Sequence, residues 1–370
     1  MSQRNKENKD FDKKMMHRCL ELAKKASGFT APNPMVGAVI VKDGRIIAEG
    51  YHQYFGGPHA EIEAINKAQE DLKGAHIYVN LEPCSYYGKT PPCSLAIIRH
   101  GFARVVIATL DPNPQIAGNG AKSIQQAGIE VEVGILEKEA LKLNEKFFHF
   151  ITHKTPFIAL KTATSIDGKI ATSTGESQWI TNEKSRAFVH SLRQDYSAIL
   201  VGSQTAIKDN PRLTVRNISP AKHPIRIVID THLKTPAHYH VFNENAPVII
   251  ACSQDIKEDK VAELKAKEHI TVLRCPLKEG KIDLNYVFRE LGKKDIDSIL
   301  VEGGSEINFN ILKNNLAHKI YAFIAPLIIG GHNSKSAFAG EGFQKLSDSP
   351  RLSAVSYHHF NDDLLMEGYF

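Results

Sequence analysis

His59-Ala60-Glu61, answered by Pro83-Cys84 and by Pro91-Pro92-Cys93, places one imidazole, one carboxylate and two thiols within 35 positions. A zinc ion that activates water takes three protein ligands and keeps a fourth position open. His59, Cys84 and Cys93 are three ligands of suitable softness, and Glu61 is left over to move protons. Working outward, the loop Tyr51-His52-Gln53-Tyr54-Phe55-Gly56-Gly57-Pro58 delivers His59, and a helix is expected over 60–71. A strand over 75–81 ends at Glu82-Pro83-Cys84, and a helix over 93–100 opens at Cys93. Helix starts carry the positive end of the macrodipole, which favours an ionised carboxylate and a thiolate.

The same alternation runs through the first half. A helix is expected over 11–27, strands over 36–41 and 45–49 joined by the turn Asp43-Gly44, and a strand over 105–110. A helix over 119–127, a strand over 130–134 and a helix over 136–150 complete it. This pattern predicts a layered α/β sheet covered by helices. Residues 1–10 are polar throughout and read as a flexible tail. Asn33, held before Pro34 in a proline-stiffened loop, reads either as a turn residue or as an amide that reads a ring. His52 is either substrate-facing or on the surface. A structural zinc would need a fourth ligand, for which His52 and His76 are available.

Composition narrows the class. A chain of 370 residues suggests two domains, and 42% hydrophobic with 24% charged residues is ordinary for a globular protein. A net charge of +5 suits a small anionic substrate better than nucleic acid. Five cysteines at irregular spacing argue against a disulfide framework, and Cys19, Cys252 and Cys275 read as buried thiols. With no apolar signal region and no membrane-length apolar run, a cytoplasmic location is expected.

A boundary falls near His153-Lys154-Thr155-Pro156. Beyond it, strands are expected over 157–163, 198–202, 225–230, 247–251, 271–274 and 298–301, with Thr181 capping a helix that runs to about Asp195. Trp179, the only Trp, sits in a Gly/Ser-rich loop, where it either meets a flat ligand or covers a core edge. Asp209-Asn210-Pro211-Arg212-Leu213-Thr214-Val215-Arg216 joins a carboxylate to two arginines, which suits phosphate or a solvated loop. Strand, Glu302-Gly303-Gly304-Ser305, helix is the outline of a phosphate cradle, although the full G-x-G-x-x-G fingerprint is absent.

The spacing of His59, Glu61, Cys84 and Cys93 resembles the nucleobase deaminases, whose usual second half is Pro-Cys-x-x-Cys. Here eight residues separate the two cysteines, which points to one branch. Asn33-Pro-Met-Val-Gly37, Pro58-His59-Ala60-Glu61, Gly88-Lys-Thr-Pro-Pro-Cys93 and Asp111-Pro-Asn-Pro114 belong to that branch. So do Ser165-Ile-Asp-Gly168, Gly175-Glu-Ser-Gln-Trp179-Ile-Thr181 and Val301-Glu-Gly-Gly304. Together they resemble the bifunctional deaminase–reductases of riboflavin biosynthesis over nearly the whole chain. Tyr86-Tyr87 departs from the two histidines often found there.

The resemblance implies a cytidine-deaminase-like α/β/α sandwich over 11–153, then a dihydrofolate-reductase-like α/β domain over 154–370. It implies zinc, NADPH, and two successive reactions on one phosphorylated pyrimidine: loss of an amino group as ammonia, then reduction of the ribosyl chain to ribityl. Glu61 is the expected acid/base, and Asn33 and His52 are expected to orient the ring. NADPH is expected on Ala163, Trp179, Thr205, Asp209 and Thr231. The turn Gly304, Ser305, Glu306, Ile307, Asn308, Phe309 and Asn310 is expected to join them. Ser177, Arg193, Leu213, Arg216 and Glu302 are expected on the substrate, with Lys161 a polar partner near the reacting centre. The family further implies a homo-oligomer, dimer or tetramer, and no nucleic-acid or membrane partner. The competing reading is a nucleic-acid base deaminase with an accessory binding domain, which would want an exposed basic or aromatic strip. A third makes the zinc structural and the second half a binding module.

Overall fold

The computed structural model describes residues 3–87, 91–113, 117–243 and 246–370. Residues up to His153 form one compact unit and those from Lys154 onward another.

The first unit runs α1 (Gln3–Lys24), β1 (Gly37–Lys42), β2 (Arg45–Tyr51), α2 (Ala60–Lys67), β3 (His76–Val79) and α3 (Cys93–Arg99). It continues β4 (Arg104–Ile107), α4 (Asn119–Gln126), β5 (Glu130–Val133), α5 (Glu137–Leu143) and α6 (Glu145–His153). The sheet order is β2-β1-β3-β4-β5, with β1 antiparallel to both neighbours and β3, β4 and β5 parallel. Asp43 and Gly44 both have positive φ, and Lys42 pairs with Arg45, as a two-residue hairpin turn requires.

Alternation along the strands sends side chains to two cores. Val39, Val41, Tyr78 and Val106 meet Met15, Met16, Cys19 and Leu20 of α1 on one face. Ala38, Ile40, Ile77 and Val105 meet Ala60 and Ala64 of α2, Ile97 of α3 and Ile124 of α4 on the other. The unit is the expected α/β/α sandwich, and the two helices that begin at the metal-competent residues share one face. α1 begins at Gln3, within the stretch expected to be a flexible tail. The stretch from Gln3 holds no Gly or Pro, and its Lys, Glu and Gln residues are good helix formers.

The second unit runs β6 (Phe157–Ser165), α7 (Glu183–Asp195), β7 (Ala198–Gly202), α8 (Ser203–Asp209), β8 (Ile225–Ile229) and α9 (His240–Asn243). Next come β9 (Val248–Ser253), α10 (Glu258–Lys265), β10 (Ile270–Cys275), the small hairpin β11 (Leu277–Lys278) and β12 (Lys281–Ile282), and α11 (Leu284–Gly292). The chain ends with β13 (Ser298–Gly303), α12 (Ser305–Lys313), β14 (Lys319–Ala325), β15 (Ser353–Phe360) and β16 (Asp363–Tyr369). Nine strands form one sheet in the order β10-β9-β8-β7-β13-β6-β14-β16-β15. From β10 to β14 neighbours are parallel, and β16 and β15 close the edge antiparallel.

After β6 the chain leaves a place beside it, lays β7, β8, β9 and β10 outward, and returns to fill that place with β13. Such a reversal opens a crevice beyond the carboxyl ends of the flanking strands. Asn182, not the expected Thr181, caps α7: its side chain accepts from Ser185 N at 3.1 Å. A short amide one residue nearer the helix has the better reach to that donor.

Candidate functional site

In the first unit, β2 and α2 pack so closely that a Cβ on Gly50 would lie 2.4 Å from Ala60 O and Ala64 N. That contact fixes where α2 begins. His59 occupies the position before its first residue in extended backbone, and its Nδ1 lies 3.2 Å from Cys93 Sγ and 3.6 Å from Cys84 Sγ. The three ligand atoms lie within 4.8 Å of one another. A tetrahedral zinc with N at about 2.0 Å and S at about 2.3 Å separates N from S by about 3.5 Å, so the donor set fits that ion. The Cys93 main-chain N–H donates to Cys84 Sγ at 3.3 Å. Hydrogen bonding with Cys93 is the main influence holding the Cys84 thiol down at about 4. A lowered thiol pKa favours the thiolate form that binds a metal.

Glu61 lies in the first turn of α2 and is 3% exposed. Burial, reinforced by the nearby Cys84, raises its carboxyl to about 7, against the opposing pull of His59. A carboxyl poised near neutrality suits proton transfer in both directions. His52 is buried, not on the surface. Its Nδ1 meets Pro58 O at 2.8 Å and its Nε2 meets the Asn33 amide nitrogen at 3.2 Å. Those partners define the neutral tautomer with the proton on Nδ1, and burial keeps the ring from charging. Both nitrogens being engaged, His52 is not a fourth ligand. His76 sits at the start of β3, outside the ligand cluster. Tyr86 and Tyr87 are exposed. Gly88-Lys89-Thr90 and Pro114 of the quoted motifs lie outside the described residues.

In the second unit two cavities share Gly304 and Ser305. The larger, about 610 Å³, is lined among others by Lys161, Ala163, Ser177, Trp179, Arg193, Thr205, Asp209, Arg216, Glu302 and Asn308. The smaller, about 450 Å³, gathers Thr231, Glu306, Ile307 and Asn310, with Lys281 and Lys335. Between them, Gly304 adopts φ +100, and α12 starts with no side chain capping its N–H groups. This turn could seat a phosphate linking two halves of a dinucleotide, with the helix start supplying donors. The residues thus fit NADPH. Trp179 is 65% exposed and Arg186 lies over its ring at 4.7 Å, so it does not cover a core edge.

Arg193 grips Glu302 with two hydrogen bonds, Nε to Oε1 at 2.6 Å and Nη2 to Oε2 at 2.8 Å. Burial pushes the Glu302 carboxyl up, but Arg193, and Lys161 after it, outweigh burial and hold it at about 2. Burial also lowers the Lys161 ammonium. Arg216 is exposed at the cavity edge. Two of the residues expected at the site line neither of these cavities. Leu213 is buried in an apolar cluster with Val201 and Ala206, and its side chain lines neither cavity. Phe309 packs against Phe343, with ring centroids 5.4 Å apart, and also lines neither. Apolar side chains there find neighbours in the core and under the 340s loop.

Sequence reasoning missed three residues. His190 shares the cavity-facing stripe of α7 with Arg186 and Arg193, a spacing of four and three legible in the sequence. Burial, then the two flanking arginines Arg193 and Arg216, press its imidazole down to about 4, so it is neutral. Asn80 and Asn144 clasp the loop after Asn33: Asn144 Oδ1 accepts from Met35 N at 2.8 Å, and Asn80 Oδ1 from Gly37 N at 2.7 Å.

The comparisons with known proteins agree with this geometry. The profile of the cytidine and deoxycytidylate deaminase zinc-binding region matches residues 9–109, and that of the RibD C-terminal domain matches residues 156–366. Riboflavin biosynthesis protein RibD of Actinobacillus pleuropneumoniae is 43% identical over 355 residues, 95% of this chain and 93% of that one. RibD of Aquifex aeolicus is 43% identical over 359 residues, 97% of this chain and 98% of that one. The crystal structure of a diaminohydroxyphosphoribosylaminopyrimidine deaminase/5-amino-6-(5-phosphoribosylamino)uracil reductase from Thermotoga maritima is similar at a TM-score of 0.88. Its identity is 42%, covering 98% of this chain and 99% of that one. Acinetobacter baumannii RibD is similar at a TM-score of 0.87 and 31% identity, with the same coverage. With a zinc-binding deaminase unit followed by an NADPH-dependent reductase unit, this chain belongs to the RibD family of bifunctional riboflavin biosynthesis enzymes.

Proposed function

We propose that this enzyme removes the 2-amino group of 2,5-diamino-6-(5-phosphoribosylamino)pyrimidin-4(3H)-one. It then reduces the ribosyl chain of the product to give 5-amino-6-(5-phosphoribitylamino)uracil. The observation that carries the first step is the buried Glu61 beside three converging zinc ligands. Zinc held by His59, Cys84 and Cys93 supplies a water of lowered pKa. Glu61 takes a proton from the attacking water and returns it to a ring nitrogen; it then takes the second proton from the hydroxyl of the tetrahedral carbon and delivers it to the amino group, which departs as ammonia. Asn33 and the neutral His52, already hydrogen-bonded to each other, hold the ring edge.

For the second step, NADPH supplies the hydride. Its pyrophosphate would be held by the Gly304–Ser305 turn and the start of α12, with Ala163, Trp179, Thr205 and Asp209 lining the cavity on one side of the turn and Thr231 that on the other. Lys281 and Lys335 offer ammonium groups to the further phosphate that separates NADPH from NADH. Ser177 and Glu302 face the substrate, and Arg193 acts by fixing Glu302. Arg216 is the cation for the 5-phosphate. Lys161 holds a proton near the ring-opened ribose.

The substrate being a small phosphorylated metabolite, no nucleic acid is a partner, and the net charge of +5 supports that. No helix among the described residues is long and apolar enough to cross a membrane, and all five cysteines are free. A reducing cytoplasm suits such a chain. We place the enzyme there as a homo-oligomer, dimer or tetramer, by kinship with its family. The test is ammonia release from the diaminopyrimidinone ribotide by zinc-loaded protein. Chelation should stop that release yet leave NADPH-dependent reduction of the aminouracil ribotide intact; release that survives chelation refutes the zinc role.

A further inference from the structure

Glu82 has no part in the chemistry above, yet its carboxylate is 4% exposed and accepts from four main-chain N–H groups. Oε2 takes Asp111 N at 3.1 Å and Gly118 N at 2.9 Å. Oε1 takes Gly120 N at 2.8 Å and Ala121 N at 3.1 Å. Two of those donors lie in the first turn of α4, where the macrodipole also favours a negative charge. A Cβ on Gly120 would lie 2.0 Å from Pro83 O, so the start of α4 is pressed against the Pro83 peptide. Glu82 N donates in turn to Thr109 O at 3.0 Å.

The residue two places on is the ligand Cys84. Pro83 between them has a fixed φ, so little torsional freedom separates the anchored carboxylate from the thiol. From the opposite side, the start of α3 holds Cys84: Ser94 N donates to Cys84 O at 3.2 Å and Cys93 N to Cys84 Sγ at 3.3 Å. The strand end that carries the ligand is therefore fastened to one helix start through Glu82 and to another through Cys84 itself.

We propose that Glu82 is a positioning residue of the metal centre, clamping Cys84 into the ligand cluster through its four main-chain hydrogen bonds to Asp111, Gly118, Gly120 and Ala121. The proposal rests on the zinc reading of His59, Cys84 and Cys93. Replacing one carboxylate oxygen by an amide NH₂ points a donor at two donors, so Glu82→Gln opens the clamp while changing the shape little. Loss of a partner that orients a ligand costs roughly 10- to 100-fold in metal affinity.

The experiment uses the full chain, with zinc affinity measured by chelator competition and the ligand set read from the thiolate-to-cobalt charge-transfer band of the cobalt-substituted protein. Glu82→Gln is expected to weaken zinc binding roughly 10- to 100-fold and to diminish or shift the cobalt band. Glu82→Asp keeps the charge but withdraws it by one methylene, and is expected to fall between; it decides the matter should Glu82→Gln not fold. The comparison variant is Asp12→Asn. Asp12 is as buried and receives Arg104 and Tyr78, but packs on the other face of the sheet. It is expected to lower thermal stability without moving the cobalt band. Wild-type zinc affinity in both Glu82 variants overturns the proposal, as does an Asp12→Asn protein whose cobalt band changes as much. Wild-type protein that binds no zinc would instead overturn the reading of the three ligands.

Discussion

The Arg193–Glu302 pair makes a prediction that can be worked through in numbers. Both partners are nearly enclosed, with side-chain exposures of 13% and 6%, and the two hydrogen bonds are short. In the fold the Glu302 carboxyl sits at about 2 against an ordinary 4.5. Two and a half pKa units correspond to about 3 kcal/mol of stability at neutral pH. Because the folded value is depressed, the unfolded chain is the one that takes up the proton. The contribution is full above the unfolded value of 4.5 and is lost as pH falls towards 2. About 2 kcal/mol of it is gone by pH 3. Glu302→Gln removes this pH-dependent component and leaves Arg193 and Lys161 buried without their counter-charge, a cost of roughly 3–5 kcal/mol at pH 7. Urea-dependent hydrogen exchange of α7 and β13 peptides in the full chain measures both proteins. The gap between them should narrow by about 2 kcal/mol from pH 7 to pH 3. A gap that stays constant or widens refutes the reasoning.

Three further outcomes are expected. Glu61→Gln should keep its zinc, measured by metal analysis, while ammonia release falls roughly 10²- to 10⁴-fold; a rate within tenfold of wild type removes Glu61 from the proton path. Arg216→Ala should raise KM for the phosphorylated substrate by roughly 10- to 100-fold, as for loss of a hydrogen bond to a charged group, with KM for NADPH unchanged; equal effects on both count against the phosphate role. Gly304→Ala places a Cβ at φ +100, which costs roughly 1–2 kcal/mol, and should weaken NADPH binding about tenfold by nicotinamide fluorescence; an unchanged Kd would mean that the turn does not carry the pyrophosphate.

Much of this was legible in the chain because the informative residues carry strong local constraints. Helix-start positions next to proline and glycine fixed where His59, Glu61 and Cys93 would stand, and the structure brings the three ligands together. Most strands of the two main sheets are short apolar runs bounded by turns, which periodicity finds well; β14, β15 and β16 were not expected from the sequence. What was missed depends on partners far along the chain. Glu82 is one carboxylate in a loop until α4 folds against it, and Asn80 and Asn144 reach the Met35 loop across gaps of 45 and 109 residues. For Leu213 and Phe309 a motif gives a position along the chain, while burial decides which way the apolar side chain turns. The start of α1 was missed because polar straight-chain residues read equally well as a tail or as a solvated helix.

Whether both reactions run in sequence on this chain is read from NADPH oxidation by zinc-loaded protein supplied with the un-deaminated diaminopyrimidinone ribotide. Steady oxidation by the wild type is expected. In Glu61→Gln none is expected from that substrate, with full recovery when the deaminated ribotide is given. No oxidation with either substrate, or oxidation in Glu61→Gln that does not depend on which is supplied, would contradict two reactions acting in sequence on one chain.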